Sequence, residues 1–140
     1  MVRFPRRGEH DSKPTPRWLY SILLKKGYVD VCIDPTKFDA LKEEWNCGKC
    51  YCNPPWSRKL PFVIRAVEAA NRGKTVILLL PFDPTTRWFK LLWKHNPLVI
   101  VPMWRFKGAR HPWMLAILGK GEGQKIVLVE TWKELVEKIP

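Results

Sequence analysis

Lys49-Cys50-Tyr51-Cys52-Asn53-Pro54-Pro55-Trp56 sets a short apolar run against a pair of prolines. Lys49–Cys52 reads as a strand, and the two prolines end it, because proline fixes φ and has no N–H to give to a ladder. Upstream, Val29-Asp30-Val31-Cys32-Ile33-Asp34 reads as another strand finishing in an acid, stopped by Pro35. Downstream, Phe62, Val63, Ala66, Val67 and Ala70 recur at helical spacing between Pro61 and Gly73. Thr75–Leu80 is a continuous apolar run, the pattern of a strand covered on both faces. Nearer the start, Thr15 as cap, Pro16 at the first position and Gly27 at the end predict a short helix with Leu19, Ile22 and Leu23 inward. Phe38 to Trp45 reads as a helical turn or two, and Asp83-Pro84 as the opening of a helix carrying Trp88, Leu91 and Leu92. Leu98–Val101, Trp113–Leu118 and Ile126–Val129 read as strands, the last two joined through the glycine-rich turn at 119–123. Thr131 with Glu134 forms a capping box for a final helix. Strand and helix alternate and a hairpin closes the chain, so the expected fold is an α/β three-layer sheet with an antiparallel C-terminal hairpin.

The chain has 140 residues, 46% of them hydrophobic, enough for one domain with a proper core. Residues 1–13 are polar and basic and read as a flexible arm, leaving 14–140 as a single domain. No apolar run approaches the ~18 residues needed to span a membrane. Lys and Arg number 25 against 13 Asp and Glu, a formal charge of +12. So large a surplus points to a polyanion, most simply nucleic acid, and less to an anionic membrane, since no stretch is a clean basic amphipathic helix. The basic start has no apolar segment behind it, so a signal peptide is not expected, and a cytoplasmic, reduced protein is the default. Cys47, Cys50 and Cys52 cluster as C-x2-C-x-C with Cys32 upstream, but a second ligand pair is missing and no metal site is expected. His10, His95 and His111 are scattered and read as surface or packing residues.

The chemistry sits in Asn53-Pro54-Pro55-Trp56, just past a strand's carboxyl end, where open α/β sheets bind ligands. The asparagine side-chain oxygen and the prolyl carbonyl after it are two acceptors on a rigid backbone. Together they can grip the two hydrogens of a planar –NH2, and an aromatic ring beside them can stack on the base that carries it. The tetrapeptide offers no nucleophile, metal ligand or general acid. The bland alternative is that the prolines merely end a strand and Trp56 belongs to the core.

From Lys13 to about Leu118 the sequence resembles the phage-type DNA N6-adenine methyltransferases (Dam-like). The matching blocks are Thr15-Pro16, Asp30-Val31-Cys32-Ile33-Asp34-Pro35, Asp39-Ala40-Leu41 with Trp45, Asn53-Pro54-Pro55-Trp56-Ser57, Leu79-Leu80-Pro81 with Thr85, Trp88 and Phe89, and Arg105-Phe106. The resemblance implies an abbreviated class I, Rossmann-like fold that uses S-adenosylmethionine as methyl donor. It places Thr15, Pro16, Asp30, Cys32 and Asp34 at the cofactor. It also places a flipped adenine against Asn53, Pro54, Pro55 and Trp56 for direct transfer to N6. Arg58, Arg105, Lys107 and Arg110 are the expected phosphate contacts on DNA. The chain departs from the family pattern in three ways. No Gly-x-Gly loop follows the first strand, only about twenty residues separate Asp30 from Asn53, and Trp56 stands where Tyr or Phe is commoner. Another planar amine (an RNA base or a protein glutamine) is the alternative substrate. A non-catalytic DNA-binding protein on a degenerate methyltransferase scaffold is the alternative of another class. Few residues are spare for reading bases, so short or relaxed specificity is expected, or else a homodimer. The expected location is the cytoplasm, the host's if the chain is virus-encoded.

Overall fold

Parallel pairing of three strands builds the part of the molecule that carries the site. In a computed structural model that describes residues 14–107, 109–120 and 123–140, β1 (Val29–Asp30) pairs with β2 (Lys49–Cys52), and β2 with β3 (Thr75–Pro81), both in parallel. All seven residues of β3 are buried, as its unbroken apolar run requires. The expected arm at 1–13, with His10, lies outside the described residues, as do Gly121 and Glu122 of the glycine-rich turn.

The rest of the sheet corrects the expected hairpin. The order is β1-β2-β3-β5-β4-β6 across six strands. β5 (Trp113–Leu118) runs antiparallel between β3 and β4 (Leu98–Pro102), and β6 (Lys125–Val129) pairs in parallel with β4, not with β5. The reason is burial. Every residue of β5 is buried, so its two faces and both edges belong inside, whereas β6 leaves Ile126 and Leu128 43% and 63% exposed and suits the rim. Gly119 turns the chain out of β5 at φ +90, with the Lys74 carbonyl pressed against its Cα.

Helices cover both faces, making three layers. α1 (Arg17–Lys25) and α4 (Trp132–Glu137) set Leu19, Leu23 and Leu135 against the odd residues Ile77 and Leu79 of β3. On the other face α2 (Lys59–Asn71) and α3 (Arg87–Lys94) set Val63, Ala66 and Leu92 against the even residues Val76, Leu78 and Leu80. That is the period-two alternation of a strand buried twice. The capping box forms, with the Glu134 N–H donating to Thr131 Oγ1 at 3.2 Å. α3 starts later than Asp83-Pro84 suggests, because Thr86 supplies its cap.

The link between β1 and β2 contains no helix or strand, only turns. Parallel neighbours ordinarily need a crossover helix; here side chains and sulfur hold the connection. Trp45 is buried and its indole N–H donates to the Ala40 carbonyl at 2.8 Å. Arg65 reaches from α2 to the Leu41 carbonyl at 2.9 and 2.5 Å. Cys32 is bonded to Cys52 and Cys47 to Cys50, and no described cysteine is free. This overturns the expectation of reduced cysteines. Spacing alone hides the pairing: with Asp30 opposite Tyr51, the chain leaving β1 comes beside the end of β2, and the Cα atoms of Cys32 and Cys52 stand 5.3 Å apart. A closure of this length stabilises by about 3 kcal/mol in the chain-entropy model. Among the described residues no helix is long and apolar enough to cross a membrane.

Candidate active site

β2 delivers Asn53 to the carboxyl edge of the parallel block, and the residue before α1 meets it there. Thr15 does not cap α1. Pro16 occupies that position, and the Thr15 hydroxyl instead lies 2.6 Å from the Tyr51 hydroxyl and accepts from Asn53 Nδ2 at 3.4 Å. With Nδ2 turned to Thr15, the orientation of the asparagine amide is set and Oδ1 is its acceptor side. Tyr51 is fully buried, and burial drives its phenol far above the usual range, so it stays a neutral hydroxyl behind Thr15.

Asp30 stands at the end of β1. Its Oδ1 accepts the Cys32 N–H at 3.0 Å, and the Tyr20 hydroxyl of α1 is near enough to the same carboxylate to lower its pKa. Burial raises the Asp30 pKa, and the Cys32 N–H and the Tyr20 hydroxyl pull it back. Tyr20 is raised in turn by its own burial and by the Asp30 charge. The Tyr20 and Tyr51 rings meet nearly perpendicular at 6.5 Å, so the Asp30 pair and the Asn53 pair abut.

A cleft of about 700 Å³ opens beside them, lined among others by Cys32, Phe38, Asp39, Asn53, Pro55 and Arg58. Asn53, Pro55, Cys32 and Arg58 are thus brought to one cavity, with Thr15 and Asp30 attached through hydrogen bonds. Cys32 contributes only its backbone and a bonded sulfur. Pro54 is buried, and Pro16 accepts the Tyr20 N–H at 2.9 Å as α1 begins. Asp34 turns elsewhere. Its Oδ1 accepts the Thr36 N–H at 2.9 Å and hydroxyl at 2.7 Å, bonds that hold its pKa below the usual value.

Trp56 is 9% exposed and belongs to the core under α1, edge to face with Phe106 at 6.4 Å. Its buried indole N–H has no partner among the described residues. The Trp56 carbonyl accepts from Lys59. Arg105, Lys107 and Arg110 sit in the loop after β4, where Arg105 Nη1 donates to the Arg110 carbonyl at 3.0 Å. His95 closes α3 and His111 is exposed, neither near the cleft lining. No three described His, Cys, Asp or Glu side chains converge as metal ligands.

Tyr20, Tyr51 and Phe38 were not singled out by sequence as site residues, and Asp39 only as part of a block matching the family. For Tyr51 a signal exists: residues two apart on a strand share a face, so Tyr51 stands on the side to which Asn53 follows. Tyr20 carries no such mark, because a helix brings it to Asp30 only through tertiary packing.

Fold and cleft define an open α/β protein with a cavity beyond the carboxyl ends of its parallel strands, the place where such sheets bind ligands. The chain belongs to the DNA N-6-adenine-methyltransferase (Dam) family, whose sequence profile it matches over residues 6–136. It is similar over shorter stretches to two proteins named DNA N-6-adenine-methyltransferase. That of Haemophilus phage HP1 (strain HP1c1) is 41% identical over 54 residues, 38% of this chain and 31% of the phage protein. That of Escherichia phage T1 is 38% identical over 52 residues, 36% of this chain and 22% of the phage protein. The matched stretches therefore span about a third or less of each relative's length.

Proposed function

We propose that the chain transfers a methyl group from S-adenosylmethionine to the N6 amino group of adenine in DNA, on an abbreviated class I methyltransferase fold. The observation that carries the reading is the Asn53 amide, oriented by Thr15 at the mouth of a cleft in a chain of this family. The residues present suit the cofactor. The cleft falls within the usual range for small-molecule sites, several hundred to about a thousand Å³. Asp39 in its lining and the partially buried Asp30, which accepts the Cys32 N–H beside it, supply acceptors. When bound, the cofactor supplies an electrophilic methyl.

What the protein does is hold an amine. Asn53 Oδ1 and the Pro54 carbonyl accept its two hydrogens, which draws the nitrogen toward a pyramidal form with a usable lone pair. Pro54 and Pro55 keep these acceptors on a backbone that does not rotate. Trp56 offers ring surface to the base once Phe106 yields its contact. Position and electrostatics supply the catalysis, with no nucleophile of the chain taking part. Asp30 serves the cofactor in this reading; Asp34, occupied with Thr36, has the weaker claim. DNA is favoured by the charge of +12, with Arg58 at the cleft and Lys107 and Arg110 exposed for phosphate.

The test is incubation with S-adenosylmethionine carrying a labelled methyl group, separately with DNA, RNA and a glutamine-bearing protein, followed by digestion and chromatography. The label is expected in N6-methyladenine from DNA. Label in RNA or glutamine alone would transfer the substrate assignment to that amine. No label in any of them, from folded protein, would return the scaffold to a binding role.

A further inference from the structure

A second cleft, of about 830 Å³, lies at the same edge of the sheet, walled by Trp18, Trp104 and Trp132 with Glu130, Thr131 and Lys133. Trp18 opens α1, Trp104 follows β4 and Trp132 begins α4. β3 and β4 each run antiparallel to β5, so they are parallel to one another, and β6 is parallel to β4. The carboxyl ends of β4 and β6 therefore share an edge with Asn53.

Rings run from this cleft to Trp56. Trp56 contacts Phe106 at 6.4 Å, Phe106 contacts Trp113 at 5.1 Å, and Trp113 contacts Trp104 at 6.2 Å. Trp18 then stands 6.4 Å from Trp104 on one side and 6.4 Å from Trp132 on the other. The inner members are held: Trp113 is fully buried and its indole N–H donates to the Trp104 carbonyl at 2.8 Å. The outer end is open, with Trp132 53% exposed and Trp18 and Trp104 half-buried. Each tryptophan of the cleft has a cation as its chain neighbour: Arg17 before Trp18, Arg105 after Trp104, Lys133 after Trp132. Lys133 Nζ lies 5.9 Å from the Trp132 ring centroid.

We infer that this cleft is a binding site for unpaired nucleobases of a DNA strand, stacked on Trp132 and its neighbours while the adjacent cations hold the phosphates. Flat rings interleaved with positive charge are the combination that binds single strands without regard to sequence. Removing a base from a duplex leaves the base opposite it unpaired and the adjacent stack interrupted, and a flat ring can take up such a base. The aromatic row runs from the cleft to Trp56, three residues after Asn53, and the charge of +12 selects a polyanion over a neutral peptide. The direction of the strand rests on the base-pocket reading of Asn53; the affinity of the cleft for bases does not.

Fluorescence anisotropy of a dye-labelled single-stranded oligonucleotide, at fixed salt, tests the site. Trp132→Ala, a change at an exposed position, should weaken binding about five- to a hundredfold, the range of one lost stacking platform. Trp132→Phe should restore most of it. An abasic strand with the same phosphates should bind the wild type weakly and be indifferent to Trp132→Ala. Equal affinity of wild type and Trp132→Ala for the base-bearing strand overturns the inference. So does an equal loss on the abasic strand, or a shift from dimer to monomer in sedimentation with Trp132→Ala, which would make the cleft a contact between copies. Methyl transfer persisting in Asn53→Ala would overturn the base-pocket reading alone.

Discussion

Two contacts from the α1 end of the chain do the positioning at the residue scale, Thr15 hydrogen-bonded to Asn53 and Tyr20 beside Asp30. In each, that side chain holds the group which the proposed reading turns to the ligand. For Asp30 the account predicts that Asp30→Ala weakens S-adenosylmethionine binding by roughly 1–3 kcal/mol, read by calorimetry, the cost of losing a charged hydrogen-bonding partner. The sign of the pH dependence follows from burial. The Asp30 pKa is raised, so the carboxylate takes up its proton at a higher pH than an ordinary aspartate. Cofactor binding that needs the carboxylate should then fall as pH drops toward that raised value, and the fall should be absent from Asp30→Ala. Unchanged affinity in the variant would remove Asp30 from the site. The tetrapeptide Asn53-Pro54-Pro55-Trp56 was legible because its chemistry is local. The Thr15 hydroxyl was not, since a helix-capping residue and a residue aimed across the sheet at Asn53 look alike in sequence.

Elements were legible where burial is uniform and obscure where pairing decides. β3, α2 and α4 follow from the apolar run of Thr75–Leu80, the helical spacing from Phe62 and the Thr131–Glu134 box. The order of strands β4 to β6 was not legible, because adjacency in sequence favours a hairpin and only the full burial of Trp113–Leu118 argues for an interior place. The β1–β2 link likewise hides its disulfides until the register is known. One glycine shows what the sheet demands of its turns. A Cβ at Gly119 would stand 2.1 Å from the Lys74 carbonyl oxygen, on a backbone at φ +90. Gly119→Ala should therefore cost roughly 2–5 kcal/mol, from the left-handed strain and the clash together. Thermal denaturation should show a midpoint lower by about 10 °C. A midpoint within a degree or two of wild type would mean that β5 leaves the sheet by another path.

For the whole molecule, the carboxyl edge gathers what the rest of the fold supports. The parallel block sets Asn53 and the cleft there, the reversed β5 brings Trp113 to the same edge, and the aromatic row runs on to Trp132. On the proposed reading, the chain's formal charge of +12 suits it to a phosphate backbone. At its centre is the claim that the Asn53 amide grips the amine that is methylated. The most direct measurement is single-turnover methyl transfer to DNA by wild type and Asn53→Ala, each saturated with S-adenosylmethionine and each confirmed to be folded and to bind it. Loss of one preorganised partner predicts a rate lower by about 10²- to 10³-fold, with cofactor affinity changed little. Transfer by Asn53→Ala at the wild-type rate would contradict the account.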